Sequence, residues 1–263
     1  STLMRSSAAS DVYKRQMWGY QINGIWQDVY LLALPKIHIE DVYVKPLVSK
    51  NMLEIEVTVQ NQTAKKAEIQ LQGDIREWMN RAGTDINSAP VPDWTLGNEA
   101  LSVAPAKVSV AAGTSQKVTL QVPVGKDVLK YWTPEHPNLY ALLLSVKNQK
   151  QAVDTKYERF GWREWTLQGT TQCLNGEPYA LHGDSWHFMG IPQMTRRYAW
   201  AWFTAIKGMN ANAVRPHAQV YPRFYLDMAD EMGICVLNET ANWASDGGPK
   251  LDSDLFWETS KSH

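Results

Sequence analysis

The sequence predicts a multidomain chain, β followed by α/β: an immunoglobulin-like β-sandwich, then the first βα units of a truncated TIM barrel. Three observations predict it. Residues 35–159 carry repeated period-two alternation, the mark of strands with one buried face. After Phe160 strand-like and helix-like stretches alternate, which implies a parallel sheet. Within that C-terminal region a pair of successive strands ends in polar, chargeable residues, at 215–217 and 238–240, as strands do at the active-site rim of a parallel barrel.

In the N-terminal region Leu53, Ile55, Val57 and Val59 alternate with Glu54, Glu56, Thr58 and Gln60. Ala67, Ile69 and Leu71 repeat the pattern, as do Val118, Leu120 and Val122. Leu139, Ala141, Leu143 and Ser145 line one face of a further strand, and Tyr140, Leu142, Leu144 and Val146 the other. A strand apolar on both faces belongs inside a sheet. Gly, Pro and Asn clusters at 61–63, 81–93 and 111–114 separate the runs. About seven short strands in about 120 residues fit a two-sheet sandwich. It holds no acidic pair and no histidine cluster, so it is expected to position neighbouring domains rather than to do chemistry.

In the C-terminal region residues 179–187 form a strand ending in Asp184, Ser185, Trp186 and His187. Residues 195–210 have helical spacing, with Tyr198, Trp202, Ala205, Ile206 and Met209 on one stripe and Thr195 as N-cap. A strand follows at 211–215. The next helix, 222–232, has Pro at its first turn and Gly233 past its end. Residues 234–237 give a third strand, and 255–263 open a third helix. Three βα units do not close a barrel of eight, so the barrel is expected to break off within the chain.

Composition narrows the partners. The chain has 263 residues and a formal net charge of −1. No basic field exists to attract nucleic acid or anionic lipid. No apolar run approaches the ~18 residues needed to span a membrane. Cys173 and Cys235 are too few for a disulfide framework. They read as buried thiols, with one mutual bridge as the alternative. The 12 tryptophans can stack on the C–H faces of sugars or fill cores. Residues 1–16 show no period and lack the apolar core of ~7–15 residues that a signal peptide needs. Residues 11–16 look like a reading frame of a transposon-end sequencing adapter, so 1–16 is set apart as an artefact.

Several motifs then fall in a telling order. They are Gly24-Ile25-Trp26-Gln27-Asp28-Val29-Tyr30-Leu31, Trp132-Thr133-Pro134-Glu135-His136-Pro137-Asn138-Leu139-Tyr140, Phe160-Gly161-Trp162-Arg163, Leu174-Asn175-Gly176-Glu177-Pro178 and Leu181-His182-Gly183. Asn212, Arg215, His217, Tyr221, Pro222, Asp230 and Gly233 follow. Together they resemble glycoside hydrolase family 2, the β-galactosidase, β-glucuronidase and β-mannosidase group. One departure stands out: Ala218, Gln219 and Val220 split the family's His-Tyr-Pro unit.

The resemblance implies a fragment of a retaining exo-β-glycosidase, β-galactosidase-like, that hydrolyses terminal β-glycosidic bonds in carbohydrates. It implies an O-glycosyl hydrolase with a carbohydrate substrate and no cofactor; His182, Asp184 and His187 could form a zinc site by composition, but their spacing fits no standard motif, so no metal is expected. Residues 17–37 would be the last strand of a jelly-roll sugar-binding domain, 38–160 the immunoglobulin-like domain and 161–263 the start of the TIM barrel. In that family two Glu residues on barrel strands four and seven do the chemistry, with carboxyl groups about 5–5.5 Å apart. Both would lie beyond the fragment, which is therefore expected to be inactive. A non-catalytic carbohydrate-binding or scaffold β-sandwich protein is the alternative.

The candidate substrate-binding or site-supporting residues are Arg215, His187, Glu239, His217, Asp184, Asn238 and Trp186. Arg215 leads, because an Arg at the end of a buried strand cannot lose its proton and needs a carboxylate. The resemblance makes that partner an active-site Glu; a salt bridge to Glu239 is the other option. Glu239 takes the place of the family's third-strand Asp-Glu, which implies a subsite role rather than the acid/base role. His187 matches a His near the sugar hydroxyls, and Asp184 reads equally as a ligand for a hydroxyl and as a loop cap.

Overall fold

A computed structural model describes residues 29–80, 94–148, 151–186, 193–217, 221–239 and 250–261. The described residues fall into two compact units. One is Leu31–Ala180; the other contains the residues that follow. Residues 17–28 of the expected jelly-roll strand lie outside the described residues, as does the 81–93 cluster. Residues 29–36 carry no strand.

The first unit begins with seven strands: β1 (Ile37–Leu47), β2 (Met52–Asn61), β3 (Ala67–Asn80), β4 (Trp94–Val110), β5 (Thr114–Pro123), β6 (Leu139–Asn148) and β7 (Gln151–Gly161). They form two antiparallel sheets, ordered β1-β2-β5 and β4-β3-β6-β7. Leu53, Ile55, Val57 and Val59 of the first sheet share one hydrophobic core with Leu71, Ile75, Leu142 and Leu144 of the second. Period-two alternation produces this directly, since each sheet turns its apolar side chains to the same interior. The doubly apolar β6 is interior, between β3 and β7.

Asn61, fully buried at the end of β2, ties the sandwich ends together. Its Nδ2 donates to the carbonyls of Lys65, Val110 and Ala111 at 2.9, 3.1 and 3.1 Å. Its Oδ1 accepts from Thr63 N and Thr63 Oγ1 at 3.0 and 2.7 Å. A buried amide satisfied on both ends fixes a turn that an apolar residue could not.

The unit continues past β7 into a small sheet of β8 (Trp165–Gln168), β9 (Thr171–Leu174) and β10 (Glu177–Pro178), in the order β10-β9-β8. Asn175 and Gly176 form the β9–β10 turn with φ of 56° and 88°, the left-handed pair that a two-residue hairpin demands. Trp132, 1% exposed, anchors this extension. The Arg163 guanidinium lies 4.1 Å from its ring centroid. Trp132 N donates to Trp162 O at 3.0 Å, and Asn175 Nδ2 to Trp132 O at 3.2 Å. Asn175 Oδ1 accepts from Glu164 N at 2.9 Å, and Glu164 Oε2 from Ser49 N at 2.7 Å. A Cβ on Gly161 would sit 2.9 Å from the Trp132 Cβ, so only glycine lets the ring close down. Three of the quoted motifs thus meet at one tryptophan.

In the second unit β11 (Gly183–Trp186), β12 (Ala213–Pro216) and β13 (Cys235–Val236) form a parallel sheet in that order. Helix α1 (Arg196–Gly208) connects β11 to β12, α2 (Arg223–Met232) connects β12 to β13, and α3 (Asp254–Lys261) follows. The capping is as expected: the Thr195 side chain accepts from Tyr198 N, and Gly233 closes α2 with φ 73°.

Two local expectations need correction. The buried stripe of α1 is Ala199, Phe203 and Ile206; Ala205 and Met209 are exposed. Both stripes satisfy 3.6-residue spacing. Phe203 decides between them by packing edge-on against Tyr225 of α2, with centroids 6.1 Å apart. The first parallel strand starts at Gly183, not at 179. Tyr179 belongs to the small sheet, its N donating to Gln172 O at 2.9 Å and its hydroxyl to Glu135 Oε1 at 2.9 Å. Both cysteines are free and buried. No helix among the described residues is long and apolar enough to cross a membrane.

Candidate functional site

The candidate site lies at the C-terminal ends of β11, β12 and β13. Parallel register pairs Ser185 with Arg215 and Trp186 with Pro216, and Val214 with Val236. The three strands therefore run out at one end of the sheet. Their opposite end is pinned by Asn212. Its N and Oδ1 pair with His182 O and N, both at 2.8 Å, and its O accepts from Cys235 N at 2.8 Å. One residue thereby sets the register of both neighbours, a role for Asn212 that the motif match alone did not reveal. Gly183 contributes by its lack of a side chain, since a Cβ there would lie 2.0 Å from Ala213 O.

Val214 and Pro216 are buried, and Arg215 between them points to solvent by the alternation of the strand. Its Nε donates to Glu239 Oε1 at 2.5 Å, with side chains 45% and 30% exposed. The chain reaches Glu239 by continuing the ladder one step past β13, where Leu237 N donates to Val214 O at 2.9 Å. Glu239 is thus one carboxylate that Arg215 contacts.

Asp184 is exposed on β11, and its Oδ1 accepts from its neighbour's amide, Ser185 N, at 2.7 Å. That contact lies within β11. Asn238 is exposed beside Glu239, and His217 is half-buried directly after β12. Trp186 closes β11. His187 lies outside the described residues. The structure thus joins Arg215 to Glu239 and puts His217 and Asn238 just past the ends of β12 and β13, while Asp184 lies near the start of β11, opposite Val214.

Behind α1 and α2 sits a buried aromatic set. Tyr225 Oη donates to Gln193 O at 2.6 Å, and Gln193 Nε2 to Tyr198 Oη at 3.2 Å. Burial pushes the Tyr221 and Tyr225 hydroxyls well above the usual phenol range, so both stay neutral. Tyr221 packs edge-on to Tyr225, with centroids 5.4 Å apart. These rings anchor α2 rather than act on a proton.

Residues 37–163 match the family model for glycosyl hydrolases family 2. A β-galactosidase from Priestia megaterium is 26% identical over 241 residues, covering 90% of this chain and 22% of that protein. One from Pseudoalteromonas haloplanktis is 26% identical over 268 residues, covering 97% and 24%. The chain thus spans about a quarter of the length of these relatives. Among solved structures, a Bacteroides uniformis β-glucuronidase superposes with a TM-score of 0.63 at 23% identity, covering 86% of this chain and 26% of that one. A GH2 β-galacturonidase from Eisenbergiella tayi gives 0.62 at 19% identity, covering 79% and 34%. At these identities the superpositions speak to the fold.

Proposed function

We propose, from the match of residues 37–163 to the model of glycosyl hydrolases family 2 and from its β-galactosidase relatives, that this chain is a piece of a retaining exo-β-glycosidase of β-galactosidase-like type. In this reading residues 17–37 end a jelly-roll sugar-binding domain, the seven strands are an immunoglobulin-like domain, and 161–263 open a TIM barrel. The compact unit favours moving that last boundary to Ala180. The observation that carries the reading is the Arg215–Glu239 pair at the ends of parallel strands.

Arg215 is a permanent cation with a planar fork of donors, and Nε is engaged by Glu239. The remaining prongs of such a fork can meet a sugar hydroxyl or hold a second carboxylate ionised. A nucleophile in a retaining mechanism requires such ionisation. Glu239 accepts from Arg215 and holds that fork at the strand ends. With His217 and Asn238, which follow the ends of β12 and β13, it borders the sugar. The two catalytic Glu residues lie elsewhere in the enzyme, and the substrate is a terminal β-linked sugar.

Sequencing the source DNA past the codon for His263 tests this. An open frame that encodes Asn-Glu at the end of a fourth strand is expected. An in-frame stop codon there overturns the reading.

A further inference from the structure

The parallel strands β11, β12 and β13 are four, four and two residues long. Ladders this short hold few hydrogen bonds, and a slip of one residue would turn Arg215 from the solvent side of the sheet to the buried side. What fixes them lies at the opposite end from the Arg215–Glu239 pair. In an extended strand the N–H and C=O of one residue face the same neighbour. Asn212, just before β12, divides them: its N donates to His182 O and its O accepts from Cys235 N, both at 2.8 Å. Its side chain adds a further tie, with Oδ1 accepting from His182 N at 2.8 Å. The two bonds to His182 form a clamp across β11 and β12, one step ahead of Gly183 opposite Ala213.

The segments around Asn212 lock the same residue. Asn210 turns the chain with φ 59°, and Ala211 N donates to Ile206 O at 3.1 Å, so Asn212 follows directly on the end of α1. Ile234 N donates to Ala229 O at 2.8 Å, which delivers Cys235 from the end of α2. Lys207 Nζ on α1 donates to Met232 O on α2 at 2.6 Å and closes the ring. Arg215 is roughly 10 Å along the strand from this hub, and Leu237 N meets Val214 O two residues before Glu239. The 2.5 Å approach of Nε and Oε1 therefore depends on a register set at the other end of the strands. We propose that Asn212 is a positioning residue for Arg215 and Glu239, acting through its Oδ1 acceptor on His182 N. That the pair serves a sugar rests on the glycosidase reading; the coupling between the two ends of the strands does not.

The test is the Arg215 Nε–H signal in proton–nitrogen NMR spectra of the full chain, identified by its disappearance in Arg215→Lys. The methyl signals of Ile206 and Met228, buried on α1 and α2, report whether the second unit is folded. Glu239→Gln should shift the Nε–H signal. Asn212→Leu keeps the branched shape and removes the acceptor; it should move the signal to its Glu239→Gln position while both methyl signals stay in place. Asn212→Asp keeps the acceptor and should leave the signal as in the wild type. An unchanged Nε–H signal in Asn212→Leu overturns the proposal. So does its loss in Asn212→Asp, since the acceptor then does not carry the effect. Collapse of the Ile206 and Met228 signals in Asn212→Leu overturns it as well, because Asn212 would then support the whole unit rather than the pair. An Nε–H signal indifferent to Glu239→Gln overturns the pair and the proposal with it. A stop codon after His263 would instead remove the glycosidase reading and leave these spectra unchanged.

Discussion

Arg215 on β12 reaches across to Glu239, the third residue beyond β13, with Nε 2.5 Å from Oε1. Both side chains are partly open to water, so the pair adds little to folding, about 0–1 kcal/mol. The pair holds a charged fork at the strand ends.

In an active enzyme that contains this chain, Arg215→Ala is expected to lower kcat/KM about 10²–10³-fold, while Tm moves little. Arg215→Lys should not rescue it, because an ammonium cannot reproduce the two-pronged contact. Glu239→Gln should be milder. Kinetics and Tm measured side by side decide; near-normal kcat/KM in Arg215→Ala would make the pair structural.

Asn61→Ala should cost about 2–3 kcal/mol by orphaning buried backbone groups, read as a shift in the denaturant midpoint. Asn61→Asp adds a pH dependence. A carboxylate facing the carbonyls of Lys65, Val110 and Ala111 has its pKa raised by burial and repulsion. The variant is then least impaired at low pH and loses stability as pH rises above the unfolded carboxyl value of about 4. A pH-independent difference from the wild type would contradict this.

Glu56 shows the opposite sign. Hydrogen bonds from Lys117, at 2.5 Å, and from Lys45 hold its carboxyl below the usual range. Its contribution is present above the unfolded carboxylate value and fades as pH falls through the folded one. The wild type's Tm advantage over Glu56→Gln should therefore shrink in acid and in high salt.

Trp132→Ala should destabilise the sandwich unit by about 3–5 kcal/mol. Gly161→Ala should also destabilise it, because the added methyl meets the Trp132 Cβ at 2.9 Å. Limited proteolysis of the wild type should give a resistant unit whose C-terminal boundary falls near Ala180; a boundary near Phe160 would detach the small sheet from the sandwich.

Much of this was legible in the sequence, because burial on one face writes itself as a period. Leu53 to Val59 announced β2, and the doubly apolar β6 announced its interior place. Thr195 and Gly233 marked helix ends through local chemistry. The α1 stripe was ambiguous because Ala199 and Phe203 lie one position from Tyr198 and Trp202, and only contact with α2 chooses between them. The β8–β10 sheet is hard to read from the sequence although Asn175-Gly176 is a strong hairpin signal. Its strands are too short to show alternation. The Arg215–Glu239 bond was open because a residue names the partner it needs, not which one it finds.

The Asn175-Gly176 turn also sets a chemical clock. Glycine leaves its own amide nitrogen unshielded, so Asn-Gly is the pair most ready to close to a succinimide and lose ammonia. Here the departing nitrogen is the one that donates to Trp132 O, while Oδ1 is held by Glu164 N. While both bonds last, the amide is held in place. Once ammonia has left and water has opened the ring to a carboxylate, an oxygen faces the Trp132 carbonyl and the two repel. Ageing in storage would therefore begin at a turn on the surface and be felt at the most deeply buried tryptophan of the sandwich.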